Sequence, residues 1–286
     1  MIGLAIALVL LAPPPKPLFR PWMDATTAEP RVQVQRIDAD TFVIRQSIAT
    51  NFEGPFLYLL FGRDRALLLD SGAGGLTIRP TIDALIAGWA AAHHRAGIPL
   101  VVAHSHGHGD HHQGDAEFAG RPDTQVVGLS PAAVAKFFGI VAWPDTIAPY
   151  DLGGRTLDII PTPGHQDAHI MVHDRRTRLL LSGDMLYPGR LYVPENHFAE
   201  FRASADRLVD FAHTHPIHRL LGAHIEMTAT PAQDYAREAP NHPGEHRLEM
   251  LPSAIFDLQK AVAAMGDTPV RRLLPDFIIT PVPPRP

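Results

Sequence analysis

Residues 101–114 read VVAHSHGHGDHHQG. The apolar run from Pro99 to Ala103 enters this stretch as a short buried strand. His106, His108, Asp110 and His111 follow, with Gly107 and Gly109 between them. Imidazole and carboxylate suit a borderline-soft divalent ion such as zinc. Alternate residues of an extended chain share a face, so His106 and His108 converge, and the next turn swings Asp110 and His111 toward a second position. The small residues between the ligand types leave room for close backbone approach. The competing reading is a solvated polar loop.

Four further polar residues stand at the ends of strand-like runs. Asp70 closes Arg65-Ala-Leu-Leu-Leu69, His165 ends Thr162-Pro-Gly-His165, Asp184 ends Leu181-Ser-Gly-Asp184, and His224 ends Leu221-Gly-Ala-His224. The segment His106-Gly-His108-Gly-Asp110-His111 resembles the HxHxDH signature of the metallo-β-lactamase fold superfamily, and the other four marks follow in that family's order over residues 33 to 230. The resemblance implies an α/β fold of four layers: an αββα sandwich with two mixed sheets face to face and helices outside. It implies His106, His108 and His165 as ligands of one ion. Asp110, His111 and His224 then hold a second ion, and Asp184 bridges both. Asp70 lies behind the metal site and steers a ligand; its other reading is a plain turn cap.

Composition narrows the chemistry. The chain has 286 residues, no cysteine and a formal charge of −5. Disulfides, thiolate ligands and cysteine nucleophiles are therefore excluded, and no basic field points to nucleic acid. Residues 1–30 form an apolar stretch and a proline-rich linker, and 31–286 are expected to form the metallo-β-lactamase-like domain with a C-terminal extension. The run Met1 to Ala12 is too short to span a bilayer and lacks a Lys or Arg before its apolar core. A cytoplasmic protein without an integral membrane domain is expected, with a secreted or periplasmic location the alternative if that run is a signal peptide. A homodimer is left open.

Strands are expected at Val32–Ile37, Thr41–Arg45, Pro55–Phe61, Ala66–Leu69 and Thr124–Leu129, then before His165, at His169–Val172, Arg178–Leu181 and Ile217–Leu221, and finally at Phe277–Thr280. Helices are expected at Pro80–Ala92, where Ile82, Leu85, Ile86 and Trp89 fall at helical spacing, and at Pro131–Phe138, Phe198–His213 and Pro252–Met265. Tyr187 to His197 reads as a polar and aromatic loop, and 232–250 as a lid or surface strap. The cluster Phe137, Phe138, Val141 and Trp143 reads as core or as a lid beside the site. Ser105 and Ser182 read as packing or backbone-bonding residues, and His169 as a neighbour of the metal site.

The resemblance implies a hydrolase in which a hydroxide held at a dinuclear site cleaves a small-molecule thioester, lactone or ester. Zinc is the expected metal, with iron or manganese also suited to nitrogen and oxygen donors. Asp110 is the expected catalytic carboxylate, and Arg190 and Tyr192 are candidate substrate contacts. Metallo-β-lactamases generally lack an aspartate at the position of Asp184, so the pattern resembles the glyoxalase II-like and lactonase-like branches. The alternatives are a β-lactam hydrolase and an iron-dependent dioxygenase of the persulfide dioxygenase type. Phosphodiester cleavage is disfavoured because no segment is long enough for the nuclease branch's inserted domain.

Overall fold

Why the central strands are apolar at consecutive positions is answered by the layers that cover them. A computed structural model describes residues 16–23 and 29–284, so the apolar run Met1 to Ala12 lies outside the described residues. The chain opens with β1 (Val32–Asp38), β2 (Thr41–Gln46), β3 (Phe56–Phe61) and β4 (Ala66–Leu69). Helix α1 (Arg79–Ala92) crosses over to β5 (Leu100–Ala103), the short helices α2 (Gly109–His112) and α3 (Asp115–Phe118) follow, and β6 (Thr124–Val126) completes a six-stranded sheet in sequence order. Its first four strands are an antiparallel meander, and β4, β5 and β6 run parallel.

Helix α4 (Pro131–Phe138) leads into the other half. There β7 (Ala148–Asp151), β8 (Thr156–Pro161), β9 (Ile170–Asp174) and β10 (Leu179–Gly183) precede β11 (Arg190–Pro194), α5 (Phe198–Thr214), β12 (Arg219–Gly222), β13 (Glu249–Met250), α6 (Ser253–Ala263), β14 (Arg272–Leu273) and β15 (Ile278–Val282). The second six-stranded sheet has the order β13-β12-β10-β9-β8-β7, and a small third sheet has the order β11-β15-β14.

Side-chain alternation divides each strand between two cores. Phe56, Tyr58 and Leu60 of β3 and Leu67 and Leu69 of β4 face Leu157, Ile159, Ile170 and Val172 of the other sheet. Their neighbours Leu57, Leu59, Phe61, Ala66 and Leu68 face α1 through Ile82, Ile86 and Trp89. The outer face of the second sheet, with Ile160, Met171, Leu180 and Leu220, packs on Phe201 and Leu208 of α5 and Ile255 and Leu258 of α6. This is the expected αββα sandwich. A strand covered on both sides reads as a continuous apolar run, and truncating one such residue, Leu59→Ala for example, costs about 2–5 kcal/mol.

The far end of the sandwich is closed by one buried ion pair. Arg155 donates to Asp174 at 2.7 Å, to the carbonyls of Asp40 at 2.6 Å and Phe61 at 3.1 Å, and to Thr41 Oγ1 at 2.8 Å. It therefore ties the start of β8 to the turn ends of the first sheet.

The loop expected over Tyr187 to His197 instead contains β11 and a 3-10 turn, Glu195–His197. Its partner is β15, in parallel register from Arg190↔Ile278 to Pro194↔Val282. That pairing lies far downstream, so the local sequence carries no sign of it. Phe138 is buried, Phe137 and Trp143 pack against the central core, and Val141 is exposed, so the aromatic cluster is core and not a lid. Among the described residues no helix is long and apolar enough to cross a membrane.

Candidate metal centre

The parallel pair β4 and β5 sets the site. Leu69 pairs with Ala103, so the two strands end side by side. Asp70 follows β4 with φ of 68°, a left-handed conformation in which its carboxylate folds back under the next loop. Asp70 Oδ1 accepts from Ser105 N at 2.7 Å, and Oδ2 accepts from Ser105 Oγ at 2.9 Å and His111 Nδ1 at 3.0 Å. Fixing the Nδ1 proton leaves the Nε2 lone pair of His111 free to face the cavity.

The second sheet delivers its residues at the same end. His165 follows β8 and Asp184 follows β10, each after a glycine. Gly164 has φ of 136° and Gly183 φ of 51°; a Cβ there would meet Phe201 Cα at 2.4 Å and His169 Nε2 at 2.7 Å. No other residue fits at either position. His224 follows β12. His165 Nδ1 donates to the carbonyl of Tyr192 at 2.7 Å, and His224 Nδ1 to that of Glu53 at 2.8 Å, so both present Nε2 inward. His169 donates from Nδ1 to Thr162 Oγ1 at 2.8 Å and accepts the amide of Asp184 at Nε2 at 3.2 Å. It holds the Asp184 backbone and points no lone pair into the centre.

Two groups result. His106, His108 and His165 form one, and Asp110, His111, Asp184 and His224 the other. His108 Nδ1 lies 2.9 Å from His106 Nε2 and 3.0 Å from His165 Nε2. In the second group His224 Nε2 lies 3.4 Å from His111 Nε2, and Asp110 Oδ2 is 3.0 Å from His111 Nε2 and 3.3 Å from His224 Nε2. Asp184 spans both. Its Oδ1 faces His111 and His224 at 3.5 and 3.3 Å, and its Oδ2 faces His165 and His106 at 3.6 and 3.9 Å.

This arrangement fits two cations. Imidazole lone pairs that converge within about 3 Å repel unless an electrophile sits between them, which is what metal coordination supplies. Asp184 Oδ1 is buried with no hydrogen-bond partner, a costly state for a carboxylate oxygen and an ordinary one for a ligand.

The electrostatics agree. Burial, reinforced by His111, holds His106 well below the usual histidine range, and burial likewise lowers His165, so both are neutral donors. Burial would lower His111 and His224 too, but the charges of Asp110 and Asp184 push both well up. Burial would raise Asp184 and Asp110, yet His224 and His111 hold both carboxyls far below the usual range. The second group is thus a field that draws positive charge.

A cavity of about 340 Å³ opens over Asp110, Asp184, His165 and His224, and Tyr192 is in its wall. Arg190 is not. Its guanidinium is taken by Glu226 at 2.9 Å, Asp234 at 3.2 Å and the carbonyl of Tyr235 at 2.6 Å. Glu53, Tyr187 and Arg237 also line the cavity and were not singled out by sequence. Glu53 and Arg237 sit on irregular segments with no motif spacing, so only the tertiary fold reveals them. Ser182 bonds the carbonyl of Leu186 at 2.5 Å, as its backbone-bonding reading anticipates.

Known proteins match the chain in both sequence and shape. A family model described as the metallo-beta-lactamase superfamily matches residues 51–214. An acyl-coenzyme A thioesterase MBLAC2 of Bos taurus is 26% identical over 59% of this chain and 72% of its own length. A hydroxyacylglutathione hydrolase of Rhizobium meliloti (strain 1021) is 28% identical over 56% of this chain and 62% of its own length. Among solved structures, a metallo-beta-lactamase from Pontibacter korlensis superposes with a TM-score of 0.51 at 17% identity, covering 80% of this chain and 99% of that one, a likeness of fold. The matched family span holds Asp70 and every residue of the two groups except His224, which follows shortly after it. On that match, which takes in more than half of the sequence, the chain belongs to the metallo-beta-lactamase superfamily.

Proposed function

We propose that this chain is a metal-dependent hydrolase of small-molecule thioesters, lactones or esters, working at a dinuclear centre. The observation that carries this is the carboxylate of Asp184, whose two oxygens face two separate ligand groups. In this reading His106, His108 and His165 hold one ion, Asp110, His111 and His224 the other, and Asp184 joins them. Zinc is the proposed metal, with iron or manganese accepted by the same donors. When bound there, the ions would supply an acidified water near neutral pH and an electrophile for the substrate carbonyl.

The protein's own groups do the rest. Asp70 and Ser105 fix the ring of His111, while the carbonyls of Tyr192 and Glu53 fix His165 and His224, so the donor set is rigid before any substrate arrives. Asp110 has a side chain that is 20% exposed toward the cavity and stays deprotonated at neutral pH. It is placed to take the proton that water loses on adding to the carbonyl. Tyr187 and Tyr192 line the same cavity and confine the substrate there. The names of the two curated relatives favour a thioester among the three substrate classes. A small-molecule substrate, no nucleic-acid partner and a cytoplasmic setting complete the proposal.

The test is metal analysis of zinc-reconstituted protein, with rates on a thioester, a lactone, nitrocefin and bis-nitrophenyl phosphate, with and without chelator. Two ions per chain and chelator-sensitive thioester or lactone cleavage are expected. Turnover of the phosphate alone, or rates that survive chelation, refutes the reading. Turnover of nitrocefin alone would favour a β-lactam hydrolase, and oxidation of a persulfide by iron-loaded protein alone would favour the dioxygenase.

A further inference from the structure

We propose that Arg45 is a positioning residue: through its ion pair with Glu245 it holds the segment 226–246 in place against the cavity over the metal residues. The inference rests on the hydrolase reading above and deepens it.

Arg45 stands near the end of β2, paired with Phe56 of β3, and its side chain is 1% exposed. Its guanidinium grips both oxygens of Glu245, from Nη1 to Oε2 at 2.7 Å and from Nη2 to Oε1 at 2.5 Å. Nη1 also donates to the carbonyl of Met23 at 3.2 Å, and the group lies 5.2 Å from the centroid of the Phe56 ring. Arg45 Nε is buried with no hydrogen-bond partner. A buried pair with an orphaned donor is a poor route to stability, since apolar residues of similar volume serve as well or better. What a bidentate pair supplies is one fixed geometry between the two elements it joins. Here those elements are β2 and the segment between β12 and β13, 200 positions apart in the chain.

That segment is folded on itself. Met227 bridges Asp234, and Thr228 bridges Glu245. The amide of Tyr235 donates to the carbonyl of Glu226 at 2.9 Å, and that of His246 to the carbonyl of Met227 at 2.8 Å. From Glu245 the contacts run back toward the cavity. Glu245 Oε1 meets His242 Nδ1 at 3.1 Å, and the His242 ring stacks on Tyr235 with centroids 4.2 Å apart and planes within 1°. At the other end of the segment Glu226 accepts from Tyr187 Oη at 3.0 Å and from the amide of Arg190 at 2.7 Å. Tyr187 lines the cavity, and so does Arg237, which lies between the two anchors. Glu226 thus fixes the start of the segment and the Arg45–Glu245 pair fixes its end. Releasing the second anchor leaves the segment tethered by the first, and the wall between them loses its fixed place. The metal-facing rings are held otherwise, His165 by Tyr192, His224 by Glu53 and His111 by Asp70. Loss of the pair should therefore loosen the hold on substrate and spare the metal centre.

The test compares wild type, Arg45→Met, Glu245→Leu and the double variant. Each is followed by thermal unfolding, metal content, amide exchange and kinetics on S-acetyl-glutathione, or on the lactone if that is the better substrate. Each single change leaves one charge buried and unpaired and should lower Tm; the double variant removes both charges and should recover most of the loss. The position of the segment should not recover with it. In the double variant KM should stay raised about tenfold, with kcat and metal content near wild type. The amides of Tyr235 and His246 should exchange faster while those of β3 stay protected. A double variant with wild-type KM, or with wild-type exchange at Tyr235 and His246, overturns the proposal and leaves the pair a staple of the core. If the wild type cleaves neither substrate, the hydrolase reading is what fails, and amide exchange alone decides the role of Arg45. If the double variant does not fold, Glu245→Gln takes its place, keeping the shape and losing the charge. Faster exchange at the same two amides is then expected, and wild-type exchange overturns the proposal.

Discussion

Replacing Asp184 with alanine removes the one side chain that faces both ligand groups. Three donors remain on each side, His106, His108 and His165 on one and Asp110, His111 and His224 on the other. Even groups that only support a ligand shift metal affinity by about 10–100-fold when removed, so losing a direct ligand should weaken each site by at least that much. A 100-fold change corresponds to about 2.8 kcal/mol. By mass action the stabilisation that bound metal gives the fold should fall by nearly the same amount when metal is in excess. The fold itself should persist, since the three cores do not include Asp184. The assay pairs chelator-competition titration of metal with thermal unfolding at fixed free zinc and with thioester turnover. We expect weaker binding, a smaller zinc-dependent rise in Tm and turnover lower by on the order of 100-fold or more. Two tightly held ions and wild-type turnover in Asp184→Ala would falsify the bridging role.

Asp110→Asn keeps the shape but loses the charge that His111 and His224 face, so kcat should drop by at least about 100-fold while circular dichroism stays unchanged. Asp70→Asn cannot accept all three hydrogen bonds from Ser105 and His111; zinc affinity should fall about 10–100-fold, and unaltered affinity in a competition titration would remove Asp70 from the account. Arg155→Met leaves Asp174 buried and unpaired, and urea unfolding should show a loss of about 3–5 kcal/mol. Burial would raise the Asp174 carboxyl, but Arg155 holds it below the usual range. Its folded value therefore lies below its unfolded one. The stability it contributes is complete above the unfolded pKa of about 3.9 and is lost as pH falls below that. Asp174→Asn should flatten this part of an acid-unfolding profile, and an unchanged profile counts against the pair.

The sequence was most legible where local pattern and local geometry coincide. The apolar runs of β3, β4 and β5 could be read as buried strands, and the four polar residues at strand ends, Asp70, His165, Asp184 and His224, did fall at one end of the sandwich. Pairing between distant segments was not legible. Arg190–Pro194 looks like a loop because its partner Ile278–Val282 comes late in the chain, and this misplaced Arg190, whose guanidinium is spent on Glu226 and Asp234. Glu53 and Arg237 escaped notice for a related reason. Each is an ordinary charged residue on an irregular segment, and only the closing of two sheets brings it over the cavity.

The Arg155–Asp174 pair and the ligand groups sit at opposite ends of the same sandwich, because Phe61 and Ala66 pair at one end of β3 and β4 while Asp70 leaves from the other. The two sheets are thus fastened at one end by a charged fixture that needs no ion, and at the other by the ligand groups alongside direct bonds such as Ile170 N to Ser105 O. Removing metal should loosen only one end. Amide exchange after chelation should therefore be graded along single strands: in β9, faster at Ile170, whose amide bonds the carbonyl of Ser105, and still slow at Asp174. The sandwich would open like a book whose spine stays glued.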